Sequence, residues 1–137
     1  MSLHVRRAYD KPDPSDGYRV LVDRVWPRGV SRSKLQLDVW AKDVAPSMGL
    51  RKWFNHDPAK WGEFKQRYFR ELTGEEKAPV IASLLAAARR RRVTLVYGAT
   101  ETHFNNASAL KVYLERRMAK LQAARKTSRI PKRSGRS

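Results

Sequence analysis

"PVIASLLAAARRRRVTLVYGATETHFNNASALKVYLERRM", Pro79 to Met118, decides how the fold is read. Ile81, Leu84, Leu85 and Ala88 recur at helical spacing behind a proline placed where a helix can open. Val93 to Tyr97 then read as a strand, and after Gly98 and a polar loop Ala107, Leu110, Leu114 and Met118 again recur at three and four. Helix, strand, helix, with apolar strands elsewhere, predicts one α/β domain: a small, mostly parallel sheet with helices on both faces, in three layers. The arginines from Arg89 to Arg92 fall where the first of these helices ends, and there they complement its dipole.

Upstream, Leu3, Val5 and Ala8 with Tyr9 suggest a short first strand, and "KPDPSDG", Lys11 to Gly17, is turn chemistry. Val20, Leu21 and Val22 form the continuous apolar run of a strand covered on both faces. Val39 and Trp40 fit a short third strand or an irregular connection. Ser47 can cap a short helix through Phe54, and Asp57-Pro58 is a helix start. Trp61, Phe64, Tyr68 and Leu72 line one face of that next helix, which ends near Gly74.

The 137 residues suit a single domain, and Lys and Arg (30) outnumber Asp and Glu (13) to give a formal charge of +17. Such a field attracts nucleic acid, anionic surfaces and phosphorylated small molecules, and says nothing about fold. Residues 119–137 hold seven of the basic residues, no acid, and both Pro131 and Gly135, so a disordered basic tail is expected after a domain at 1–118. The body keeps 23 basic against 13 acidic residues, so the basicity is not confined to the tail.

Several chemistries lose their support. With no cysteine there is no disulfide, thiolate metal site or cysteine nucleophile. His4, His56 and His103 lack ligand spacing, so no metal is expected, and Asp57 beside His56 is explained by capping. No phosphate-binding P-loop, dinucleotide fingerprint or serine nucleophile elbow is present, and no cofactor is expected. No apolar run is long enough for a membrane span or a signal peptide, so no membrane partner is expected and the default compartment is cytoplasmic. In that setting the sequon at Asn106 is a chance match.

What remains is the polar chemistry that follows the strands. In open α/β sheets ligands bind beyond the carboxyl ends of the strands. "DRVWPRG", Asp23 to Gly29, follows one strand, and "YGATETHFNN", Tyr97 to Asn106, follows another and enters a helix. Arg24 and Arg28 offer planar forks suited to phosphate or carboxylate, and a helix N-terminus offers free N–H groups. Gly29 and Gly98 would allow close backbone approach. Asp23 either orients an arginine or acts as a base, and two neighbouring arginines should keep it ionised. Each residue also has a structural alternative: Trp26 as a hydrophobic plug, Asn105 as an N-cap, Asp23 with an arginine as a plain ion pair. The alternation of Trp40, Lys42, Arg51, Lys52, Trp53, Lys60, Trp61 and Lys65 is a pattern that can bind single strands, although most of these aromatics read as core.

The blocks "DGYRVLVDRVWPRG", "APSMGLRKWF" and "VTLVYGATETHFNNASAL" resemble the YeaO-like family, bacterial proteins grouped as a domain of unknown function, over nearly all of residues 3 to 116. The resemblance implies no activity. It does imply places: Asp23, Arg24, Trp26, Pro27, Arg28 and Gly29, then Pro46, Ser47, Leu50 and Arg51, then Tyr97, Ala99 and Asn105. Thr100-Glu101 departs from it, since similar sequences carry a lysine followed by Asp or Asn there.

The expected site is thus an anion-binding or phosphate-binding pocket made of Arg24, Trp26, Arg28, Gly29, Arg51, Tyr97, Gly98, Asn105 and Asn106, for a nucleotide or nucleic-acid ligand. One alternative is a small enzyme acting on a phosphorylated substrate, with Asp23 as orienting group or base. Another is a structural or interaction protein whose arginines are consumed by internal ion pairs. Oligomeric state is not readable from the sequence.

Overall fold

The computed structural model describes residues 2–134, with side chains as far as residue 126. Four strands form one sheet: β1 (Ser2–Arg7), β2 (Tyr18–Leu21), β3 (Val39–Trp40) and β4 (Arg92–Tyr97). All pairings are parallel and the order is β1-β4-β2-β3, so the last strand inserts between the first two. Register places Leu3 and Val5 beside Val93 and Leu95, and Tyr18 and Val20 on the other side of the same two residues. These side chains share one face because strand side chains alternate.

That face is covered by α2 (Met48–Phe54), α3 (Trp61–Thr73), α4 (Ala78–Arg90) and α5 (Asn106–Ser134). Phe54, Phe64, Tyr68, Leu72, Ile81, Leu84, Leu110 and Leu114 pack there with Val20, Val93 and Leu95 as the main core. The opposite face carries only the single turn α1 (Arg32–Leu35), whose Leu35 joins Ala8, Leu21 and Val96 with Trp26 and Trp40 against them. Helices therefore lie on both faces, but unequally. The thin side is closed by charge: Arg19 Nη1 is 2.6 Å from Asp16 Oδ2, its Nε and Nη2 donate to the Leu35 carbonyl, and both residues are buried.

Local chemistry sets most element ends. The Ser47 hydroxyl accepts from Leu50 N–H to open α2, and Asn55 closes it in a left-handed conformation. Asp57-Pro58 opens a 3-10 turn, Pro58–Lys60, and α3 follows only from Trp61. α5 runs on through residues expected to be disordered. Ala119, Lys120, Leu121, Gln122, Ala123, Ala124, Arg125 and Lys126 are strong helix formers, and their propensity favours continuing the helix past the core. Among the described residues Met118 is the last packed on the core, and residues 119–126 are exposed. Residues 135–137 of the expected tail lie outside the described residues. Among the described residues no helix is long and apolar enough to cross a membrane.

The topology creates one crevice. β2 and β4 are neighbours, yet the chain leaves β2 towards α1 on one face and leaves β4 towards α5 on the other. Adjacent parallel strands whose connections depart to opposite faces leave a gap between their carboxyl ends, the usual ligand position in open α/β sheets.

Candidate functional site

A cavity of about 370 Å³ occupies that gap. The loop after β2 supplies Asp23, Arg24, Trp26 and Arg28, the loop after β4 supplies Gly98, Phe104, Asn105 and Asn106, and α2 supplies Arg51.

The first loop is held rigidly. Trp40 Nε1 donates to the Asp23 carbonyl at 2.7 Å and Trp26 Nε1 to the Val30 carbonyl at 2.6 Å, while the Tyr9 hydroxyl donates to the Arg28 carbonyl at 3.0 Å. Pro27 is buried, and Gly29 has φ +79°, a conformation that favours glycine. Arg28 is exposed between these two fixed points. Trp26 packs edge-on against Trp40 with ring centroids 5.4 Å apart, so its hydrophobic-plug role is real although it also lines the cavity.

Asp23 does something its sequence neighbourhood does not announce. Its Oδ2 accepts the Gly98 N–H at 2.8 Å and its Oδ1 accepts Asn106 Nδ2 at 3.0 Å, and that same amide donates to the Val22 carbonyl. The carboxylate clasps the end of β2 to the start of α5, and no ion pair joins it to Arg24 or Arg28 among the described residues. Arg24 and Arg28 are not what sets its ionisation: burial pushes its carboxyl up, opposed in part by the Asn106 and Gly98 bonds and by the charge of Arg51. Gly98 suits this clasp, because a Cβ there would sit 3.2 Å from Asp23 Oδ2 and the carboxylate would have to shift by a few tenths of an ångström. Its close approach is to the carboxylate.

Other expected contact groups are also occupied. Asn105 is the N-cap of α5, with Oδ1 accepting Ser108 N–H and Nδ2 donating to the Glu101 carbonyl. Tyr97 belongs to the main core, and neither it nor Gly29 lines the cavity. Glu101, at the departure from the family pattern, folds its own loop by accepting the N–H groups of His103 and Phe104, which hold its carboxyl below the usual range.

The arginines are different. Arg24 Nη2 reaches the Pro46 carbonyl at 3.4 Å, and its Nε is buried without a hydrogen-bond partner. Arg28 and Arg51 form no side-chain hydrogen bond or ion pair among the described residues. Arg51 is placed by α2, which is fixed to α3 where Glu71 accepts both the N–H and the hydroxyl of Ser47, at 2.9 and 2.6 Å. Those bonds occupy the Glu71 carboxylate.

Sequence reading missed Tyr9, Phe54, His56, Phe64 and Phe104, all of which line the cavity. Tyr9 arrives because β1 runs parallel to β4 and ends at the same edge. His56 is delivered by two successive left-handed residues, Asn55 and His56, with φ +46° and +55°. The "TETHFNN" loop did contain Phe104, but nothing local marks which of its residues faces inward. Among the described residues no group of His, Asp and Glu could hold a metal ion.

A family model described as the inactive DUF488-N3 subclade matches residues 2–132. The chain is 39% identical over 114 residues to the uncharacterised protein YeaO of Escherichia coli (strain K12), an alignment covering 83% of this chain and 97% of that protein. It is 38% identical over 115 residues to uncharacterised proteins of Mycobacterium bovis and of Mycobacterium tuberculosis (strain H37Rv), covering 84% of this chain and 95% of each. No solved structure matches. With a match along nearly its whole length, including both loops that form the crevice, the chain belongs to the inactive DUF488-N3 subclade and is a YeaO-like protein.

Proposed function

We propose that this protein is a binding module that receives a phosphate-bearing ligand, with nucleotides foremost, in the crevice beyond β2 and β4. The observation that carries this reading is the convergence of Arg24, Arg28 and Arg51 on one cavity with, among the described residues, no carboxylate ion-paired to any of them. Three cations lining one cavity repel one another, and an anion offsets that repulsion. Guanidinium forks match phosphate geometry, and a cavity of about 370 Å³ is in the range of small-ligand sites, roughly 300–1,000 Å³. Tyr9 and Phe104, both exposed at the rim, supply aromatic surface for a base. The arginines are not consumed by internal ion pairs, which weighs against a purely structural role.

The description of the family as inactive favours binding over catalysis. A second reading, a small enzyme with Asp23 as base, draws on the upward push of that carboxyl by burial. Against it, both carboxylate oxygens already accept hydrogen bonds. Should turnover of a phosphorylated substrate be found, loss of the acidic limb of its pH profile in Asp23→Asn would favour the second reading.

The test is calorimetric titration with AMP, adenosine and inorganic phosphate. AMP is expected to bind at least tenfold more tightly than adenosine. Arg28→Lys keeps the charge but loses the fork, and should weaken AMP binding by about 1–3 kcal/mol with the melting temperature unchanged. Equal affinities for AMP and adenosine, or an Arg28→Lys variant that melts early and binds AMP normally, would sink the proposal.

A further inference from the structure

The cavity wall does not end at its rim. Phe54 and Phe64, both lining residues, stack at 4.3 Å, and Trp61 continues the cluster with centroids 5.6 Å from Phe64 and 5.4 Å from Phe104. Trp61 is half-buried, and Lys65 Nζ lies 5.5 Å from its ring. Beyond it Trp53, also half-buried, is approached by Lys60 Nζ at 5.0 Å and by Arg67 at 4.3 Å. Two acids lie nearby and both are engaged: Glu63 pairs with Arg67, and Asp57 caps the turn that precedes α3. The surface leading away from the crevice is therefore aromatic at its centre and basic at its edges, with the charge of Glu63 offset by Arg67 and the carboxylate of Asp57 turned to the Ala59 N–H.

From this juxtaposition we infer that the nucleotide taken by the crevice is one residue of a single-stranded nucleic acid, whose neighbouring nucleotides lie along Trp61, Lys65, Trp53 and Lys60. The inference rests on the phosphate-ligand reading above and extends it from a free molecule to a strand. Unpaired bases stack on half-exposed indoles regardless of sequence, while lysines beside the rings meet the phosphates between them. A duplex hides its base faces and cannot use either indole. The concave crevice likewise admits a nucleotide whose base is out of the stack. The sequence shows the alternation of bases and aromatics, and the fold shows which members stay in reach of solvent: Phe54 and Phe64 are buried, while Trp53 and Trp61 are only half covered.

The experiment uses the full chain with oligodeoxyadenylates of one, four and eight nucleotides and a hairpin duplex of matched phosphate count. Affinity and tryptophan fluorescence are read from low to moderate salt. Affinity should rise at least tenfold from one to four nucleotides, with quenching of tryptophan emission, and the duplex should bind less tightly than the single strand. The double variant Lys60→Gln/Lys65→Gln should erase most of that gain and lower the salt slope by about 1.4, at roughly 0.7 for each phosphate neutralised on a single strand, while affinity for the mononucleotide stays within twofold. Equal affinity for one and four nucleotides, equal affinity for duplex and single strand, or a length gain untouched by the double variant would each overturn the inference. Failure of the mononucleotide alone to bind, with a length gain that the double variant abolishes, would remove the crevice reading and leave the strand surface standing.

Discussion

Replacing Arg24 by methionine should make the protein more stable while weakening ligand binding. The Arg24 Nε is buried without a partner, and an unsatisfied buried donor costs about 1–3 kcal/mol. The bond removed in exchange, Nη2 to the Pro46 carbonyl at 3.4 Å, is at the long limit of hydrogen-bond geometry and contributes about 0.5 kcal/mol or less. Methionine fills the volume of the arginine stem, so packing is largely retained. The net expectation is a gain of about 1 kcal/mol, which for a domain of this size raises the melting temperature by roughly 4 °C. Thermal melts of wild type and variant without ligand measure the gain, and AMP titration of the same samples should show affinity falling at least tenfold. Such a stabilising loss of function is the mark of a group retained for binding at the expense of the fold. A variant that melts several degrees lower and binds AMP normally would refute the reasoning, because Arg24 would then hold the structure together.

Asp16→Asn should be severely destabilising, since it strands the buried Arg19 charge at a cost of about 3–5 kcal/mol; circular dichroism melts should show a fall of more than about 10 °C. Removing residues 119–137 should leave the melting temperature nearly unchanged, because Met118 is the last of the described residues packed on the core, and should lower the salt slope of any duplex DNA binding by about 0.9 for each phosphate no longer neutralised; a clearly lower melting temperature would place that segment in the fold. Asp23 gives a signed pH effect. Its folded carboxyl holds a proton to higher pH than the unfolded chain, where aspartate titrates near about 3.9, so its contribution to stability falls as pH rises through the window above that value. The stability of wild type relative to Asp23→Asn should therefore shrink between about pH 4 and neutrality, and a difference that widens would contradict the assignment.

Elements whose signals are local were legible in the sequence. α2 could be read to the residue because Ser47 both starts it and marks the start, and β4 to within one residue, since exposed Arg92 belongs to the arginine run and carries no apolar signal. α1 was missed: "RSKL" has one apolar residue, and the turn exists because Leu35 has a place against Leu21 and Val96. Arg24 and Arg28 were legible because a strand end is marked by the chain itself, and Arg51 only through the resemblance, whereas the partners of Asp23 were not. Those partners, Gly98 and Asn106, lie 75 and 83 residues away, and only the insertion of β4 beside β2 brings them into reach. Tyr9 was invisible for the same reason, since its presence at the cavity depends on strand order. In each case a long-range pairing decided the outcome, and no window of sequence contains one.

The clasp between Asp23 and Gly98 makes one backbone proton a gauge of the whole crevice. The Gly98 N–H points at Asp23 Oδ2, so its resonance frequency depends on the charge of that carboxylate and on the length of the bond. A pH titration followed at this single amide would trace the ionisation of Asp23 without any substitution. An anion settling beside Arg24, Arg28 and Arg51 would shift the same titration curve to higher pH, since added negative charge disfavours the carboxylate. A glycine that looks like a concession to tight packing thus works as an indicator built into the polypeptide, one that reports occupancy even by a ligand too weak to survive purification.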